Sequence, residues 1–224
     1  MIYARIFLIA LFLPLFGYGD IPDTRTLLIT GCARSGTLYM ATLLEKSGYN
    51  ILHERLGKDG VVAWPMAVGS LSVKGPLFYK PFKHIFHQVR HPLHQITSRT
   101  IQNSDLSDPR WVFVRKHLKE IRPTDSILVS CAKYWYYWNL KAEKIAQWRY
   151  HIEDIDQIVD EFESRSGLLI NRHMLKTLPR DINTRDETKH AARLTWKQLK
   201  KELPKLLYQN IQEMAERYGY STED

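Results

Sequence analysis

The most constraining stretch of the chain lies between Thr26 and Gly48. Thr26-Leu-Leu-Ile-Thr30 is a short apolar run with no polar alternation. Such a run suits a strand of a parallel sheet, buried on both faces. It leads directly into Gly31-Cys-Ala-Arg-Ser-Gly-Thr37. Leu38, Met40, Ala41, Leu43 and Leu44 then recur at helical spacing, and Gly48 stands where a glycine closes a helix. The order strand, glycine-bracketed loop, helix gathers backbone N–H groups around one concavity, and the helix dipole adds positive potential there. Gly31 allows a sharp exit from the strand, and Gly36 lets an oxyanion come close to the backbone. Arg34 supplies a planar, forked cation suited to phosphate or sulfate. A chain built around this segment is predicted to be an α/β domain with an anion site at the end of its first strand.

The loop has the Gly-x4-Gly spacing of a Walker A motif, but Thr37 occupies the lysine position. A nucleotide-dependent kinase of the P-loop class would lack its main γ-phosphate cation. A second segment adds to the first. His84 to Arg90 reads as another strand, and His91-Pro92 breaks it with proline suited to the first helical position. Leu93, Ile96 and Thr97 continue at helical spacing, and Ser98 lies two turns beyond Arg90. An arginine at a strand end and a serine on the following helix can both reach an anion beside the first loop.

The two loops, in this order and context, resemble those of the sulfotransferases that use 3′-phosphoadenosine 5′-phosphosulfate (PAPS). The first is similar to their 5′-phosphosulfate loop, Gly-x-(Pro/Ala)-Arg-Ser-Gly-Thr. The second is similar to their Val-Arg-(Asp)-Pro segment and its following serine. Tyr134-Trp-Tyr-Tyr-Trp-Asn139, read as opening a long helix, and Trp148-Arg-Tyr-His-Ile-Glu-Asp154 fit the same pattern. Leu194-Thr-Trp-Lys-Gln-Leu199 and Arg217-Tyr-Gly-Tyr220 resemble a small, bacterial-type branch. The resemblance implies a three-layer, P-loop-like α/β fold with a mainly parallel sheet. It implies PAPS as donor, no metal, and a hydroxyl acceptor on a glycan, a tyrosine or a small molecule. Donor contacts fall on Arg34, Ser35, Gly36, Thr37, Leu38, Tyr39, Arg90 and Ser98, with Arg34 stabilising the leaving phosphate. Tyr39 stands where the family places an aromatic residue against adenine, although plain helix packing accounts for it equally well. The general base falls on Glu54, with His53 second. Trp64 is read as core rather than as an acceptor wall. Two departures stand out: Leu38 replaces a common threonine, and His91 replaces the aspartate that often braces the arginine. They keep open a non-catalytic relative that binds a nucleotide or a sulfated glycan.

The formal charge of +8 favours anionic ligands without saying which. No nucleic-acid motif accompanies it, and none is expected as partner. Two cysteines, Cys32 and Cys131, exclude a disulfide scaffold and a four-cysteine zinc site. His84, His87, His91 and His94 have tempting spacing, but Pro92 and the strand reading separate them, so no metal site is predicted. Thr195-x-x-Gln198 is a capping box, with Pro204 restarting the helix behind it. Trp135, Trp138, Ala142 and Ile145 read as a core stripe. Asn183, Thr184 and Arg185 are candidate substrate or 3′-phosphate contacts.

Residues 1–19 form a separate unit. Arg5 precedes the uncharged stretch Ile6–Tyr18, and Gly17-x-Gly19 resembles a cleavage site. The stretch is shorter than the ~20 residues of a spanning helix. A secretory signal peptide is expected, with a short signal-anchor or an apolar tail docked on the domain as alternatives. Localisation is therefore expected in the secretory pathway or at a membrane, with the cytoplasm as the alternative. Residues 20–224 contain no repeat, linker or low-complexity tract and are expected to form one domain.

Overall fold

The first strand, β1 (Arg25–Gly31), is the middle strand of the sheet, as its uninterrupted apolar sequence requires. A computed structural model describes residues 24–69, 82–102, 105–182 and 192–224. The helix α1 (Thr37–Lys46) follows the loop, and two three-residue strands, β2 (Ile51–His53) and β3 (Gly60–Val62), come next. After a 3-10 turn at Trp64–Val68, β4 (Phe82–Val89) leads into α2 (Pro92–Gln102). Then come α3 (Pro109–His117), α4 (Ile127–Glu143) and β5 (Trp148–His151). The remaining helices are α5 (Ile155–Ser166), α6 (Arg172–Thr177), α7 (Trp196–Glu202) and α8 (Lys205–Arg217).

The five strands are all parallel in the order β2-β3-β1-β4-β5. The helices that follow β1, β4 and β5 cover both faces, while β2 and β3 are joined by a short non-helical segment, residues 54–59. Alternate residues of β1 serve different cores. Leu27 and Ile29 pack with α1, α5 and α6, through Leu43, Phe162 and Leu175 among others. Leu28 faces the other way, with Val61, Ala63 and Met66. On that side a larger aromatic core joins α2, α3, α4, α7 and α8, centred on Trp64, Trp111, Trp135 and Trp138. Trp64 is buried against Phe113, Tyr134 and Trp138, so it is core.

The chain leaves β1 into a helix on one face and leaves β4 into a helix on the other. The sequence of crossovers therefore reverses between β1 and β4. The crevice at the carboxyl ends of such a pair of strands is where open parallel sheets bind ligands.

Several boundaries differ from expectation. Tyr134 lies in the middle of α4 rather than at its start, because Ser126 caps the helix by accepting from the Val129 N–H. The helix ends at Glu143, so Ile145 falls outside the core stripe formed by Trp135, Trp138 and Ala142. The capping box at Thr195 and Gln198 is present in both directions. Among the described residues no helix is long and apolar enough to cross a membrane. The predicted signal segment, residues 1–19, and the candidates Asn183, Thr184 and Arg185 lie outside the described residues.

Candidate anion-binding site

The loop between β1 and α1 is shaped by what holds its carbonyls. The Ser35 hydroxyl donates to the Cys32 carbonyl at 2.7 Å, and the Gln95 amide from α2 donates to the Ala33 carbonyl at 2.6 Å. Arg90 Nη1 donates to the Arg34 carbonyl at 3.1 Å, and the Gln88 amide from β4 donates to the Ser35 carbonyl at 2.5 Å. Four successive carbonyls are thus pinned into the protein. The first N–H groups of α1 have no intrahelical acceptor and lie at the positive end of its dipole. Arg34 (φ 72°) and Gly36 (φ 84°) both take left-handed backbone, the alternation that curls N–H groups into an anion nest. Gly31 is obligatory for another reason: a Cβ there would meet the Gln88 carbonyl oxygen at 2.1 Å.

The predicted partners of the loop converge on it. Arg34 Nε donates to the Ser98 hydroxyl at 3.3 Å, so the loop arginine and the α2 serine share one place. Arg90, at the end of β4, touches the same loop through the Arg34 carbonyl. Burial lowers the pKa of its guanidinium, Glu153 offsets this, and Arg193 adds to it. Glu153, in the turn after β5, accepts from the His91 N–H at 2.9 Å and from the Tyr220 hydroxyl at 3.4 Å. Ser35 and Thr37 are buried, whereas Leu38 is half-buried on α1.

Tyr39 is placed differently from a free adenine platform. Its ring is 3% exposed within the core of α1, and the Arg180 guanidinium lies 4.7 Å over it. On the other side of the loop, Thr37 Oγ1 lies 3.1 Å from His53 Nε2, which is 3.7 Å from Glu54 Oε1. Burial holds the His53 pKa down, against the pull of Glu54 and with the push of Arg34, so the imidazole is neutral near pH 7. Glu54 is exposed and takes left-handed backbone at φ 51°. Among the described residues, Arg34 and Glu54 are the two non-glycine residues with positive φ. Backbone strain of this kind clusters at functional sites.

Gln88, Gln95 and Tyr134 were not legible as site residues. Each acts through one bond to the loop backbone, the last by accepting the Ala33 N–H at 2.8 Å. Glutamine and tyrosine in a strand or helix carry no sequence signal for that role. The four histidines separate as the strand break requires. His87 is buried and bonded to Asn139, whereas the His91 and His94 rings lie 4.9 Å apart beside Tyr220 and Arg193. Among the described residues no group of His, Cys, Asp and Glu is placed to hold a metal ion. Compared with known proteins, the chain matches no family model, no curated protein and no solved structure.

Proposed function

We propose that this chain is a PAPS-dependent sulfotransferase of P-loop-like fold, transferring a sulfuryl group to a hydroxyl acceptor. One observation supports the reading most: Arg34 of the first loop, Arg90 at the end of β4 and Ser98 of α2 meet at the switch between β1 and β4, beside a loop in which four successive carbonyls are bonded into the protein. An anion held there faces two guanidinium groups, hydroxyls and helix N–H groups. The Thr37 position without lysine disfavours ATP chemistry.

The donor supplies an electrophilic sulfur and a phosphate leaving group. The chain orients and stabilises. Arg34 and the loop N–H groups neutralise charge growing on the departing phosphate oxygen. Arg90 and Ser98 hold the second phosphate and fix the donor's register. The acceptor oxygen forms its bond to sulfur as the bond from sulfur to the phosphate oxygen breaks. Its proton passes to Glu54, or to His53, whose Nε2 lies between Glu54 and Thr37. The products are a sulfate ester and adenosine 3′,5′-bisphosphate. A secretory signal peptide or a short signal-anchor in residues 1–19 belongs to this reading, and N-terminal sequencing from the native host tests it. A start at Met1 in a soluble fraction removes it.

One observation favours the non-catalytic relative as a second reading: the Tyr39 ring is covered by Arg180 and buried. Calorimetric titration of the full chain with adenosine 3′,5′-bisphosphate, ATP and AMP tests the site. Binding of the bisphosphate alone, lost in Arg90→Ala, is expected. Binding without sulfated product across a broad acceptor panel moves the binding module to first place, and no binding at all overturns the donor assignment.

A further inference from the structure

Among the described residues, Arg99 is a fully buried cation with no acceptor for its Nε and Nη2 groups. It is 1% exposed, its Nε and Nη2 are buried without a hydrogen-bond partner, and among the described residues no ion pair includes it. Asp108, a carboxylate that feels its charge, is already committed to capping α3 and to the Arg110 side chain. The guanidinium is instead sandwiched between two aromatic rings, 4.4 Å from Trp111 and 4.1 Å from Tyr134. Ring faces attract a cation, but they replace only part of the hydration lost on burial. An arginine in such a place normally brings its carboxylate with it.

Its surroundings tie it to the loop. Arg99 follows Ser98, the residue that accepts from Arg34. Tyr134, the ring it stacks on, accepts the Ala33 N–H through its hydroxyl. The Cys32 thiol lies against the Tyr134 and Trp135 carbonyls, and the charge of Arg99 opposes the effect of burial on that thiol. The cation therefore sits behind the Cys32–Ala33 side of the loop, with aromatic core rather than water between.

We propose that Arg99 is the buried counter-charge of the anion held by the Gly31–Thr37 loop, its missing carboxylate being the phosphate or sulfonate group of the ligand. Through an apolar core the attraction is little screened by salt, and it costs the empty protein stability that the ligand restores. Arg99 touches no ligand atom in this scheme; it acts through the field behind the loop. The inference rests on the loop being an anion site, as the proposed function requires, but not on the anion being a nucleotide.

The test compares the full chain with Arg99→Met and Arg99→Lys, by thermal unfolding without ligand and by calorimetry with adenosine 3′,5′-bisphosphate and with inorganic sulfate. Methionine fills the slot without charge. The expected result is an unliganded Tm equal to or above that of the parent, together with affinity about tenfold weaker for both anions at low and at high salt. Lysine is expected to restore most of the affinity. A methionine variant that loses Tm yet binds as tightly as the parent makes Arg99 a packing residue and overturns the proposal. Should that variant fail to fold, the Nε–H resonance of Arg99 in the parent chain decides, with Arg99→Lys assigning it: it is expected to shift as sulfate is added, and a resonance that stays fixed while sulfate binds overturns the proposal. Binding of sulfate without the bisphosphate removes the sulfotransferase reading alone. Binding of neither removes both.

Discussion

Glu54 and Arg34 carry the cost of left-handed backbone with full side chains, and both border the loop. That conformation costs an L-residue roughly 1–2 kcal/mol, which glycine would not incur. Glycine adds about 0.5–1 kcal/mol of its own through the unfolded chain. Glu54→Gly is therefore expected to leave stability unchanged or up to ~1 kcal/mol higher in urea titrations. Turnover in the same variant should fall by at least ~100-fold, the range of a lost general base. Glu54→Gln should lose turnover to the same extent and keep the affinity for the bisphosphate, because the carboxamide cannot take the proton. Turnover that survives in both variants sinks the assignment and leaves His53 to be tested. His87 gives a second prediction at this scale. Burial pushes its pKa down to about 4, and its Nε2 lies 3.0 Å from Asn139 Oδ1. The unfolded chain takes up this proton near pH 6.5 and the folded chain only near pH 4. The unfolded state thus binds more protons between those values, and stability falls as pH drops through that window. The loss from this one group is on the order of 3 kcal/mol by pH 4. His87→Gln should flatten the pH dependence of the urea midpoint between pH 6.5 and 4, and a slope unchanged in the variant rejects the assignment.

At the scale of elements, the loop is a passive segment held by its neighbours. β4 contributes Gln88, α2 contributes Gln95 and Ser98, and α4 contributes Tyr134. Gln88 is itself held, because Tyr150 on β5 donates to its Oε1 at 2.6 Å. The chain β5, β4, loop is a buried relay of hydrogen bonds. Tyr150→Phe leaves a buried carbonyl oxygen without its donor, which costs about 1–3 kcal/mol. Gln88→Met removes both ends at once. A double-mutant cycle should therefore show coupling of ~1 kcal/mol or more between the two positions, and additivity would mean that the relay has no role. These same elements show what was legible in the sequence. β1, α1 and β4 were readable, because a buried strand, a glycine-bracketed turn and helical periodicity are local signals. The capping box of α7 was readable for the same reason. β3 was not, since Gly60-Val-Val62 is too short to show a period and joins the sheet only through pairing with β1 and β2. The start of α4 was hidden by the aromatic run that follows, although Ser126 was there to cap it. α3 was passed over despite Asp108-Pro109, a cap and first-turn pair. In the site, the cations were legible by their loops. The groups that hold the loop were not, because a glutamine bonded to a carbonyl from a distant strand leaves no trace in spacing.

The whole molecule places the segment after α8 against the same corner. Asp224 accepts from the Trp196 N–H at 2.5 Å and from the Lys197 N–H at 2.8 Å, capping α7 from afar. Tyr220 stacks on His151 at 4.5 Å, lies 5.1 Å from His91 and donates to Glu153. His151 in turn lies 2.5 Å from the Tyr218 carbonyl, and Arg217 pairs with Glu143 at 2.7 Å. Residues 217–224 therefore tie α8, α7 and β5 to Glu153, the carboxylate whose charge offsets the burial of Arg90. A chain cut after Gly219 keeps the Thr195–Gln198 capping box but loses the Asp224 bonds to the first α7 N–H groups and the Tyr220 contacts together. Lost caps cost about 0.5–2 kcal/mol each. Glu153 would then have lost one of its two donors and be freer to turn away, so the negative charge that offsets the burial of Arg90 would be less firmly placed. The truncated protein is expected to unfold at lower temperature and to bind adenosine 3′,5′-bisphosphate several-fold more weakly. Tyr220→Phe separates the two effects, since it keeps the ring and the α7 cap and removes only the hydroxyl bond to Glu153. Its stability should stay near that of the parent while affinity falls part of the way toward the truncation. Affinity that follows stability across both proteins, with Tyr220→Phe unchanged in each, would reduce this segment to a structural clamp with no part in shaping the anion site.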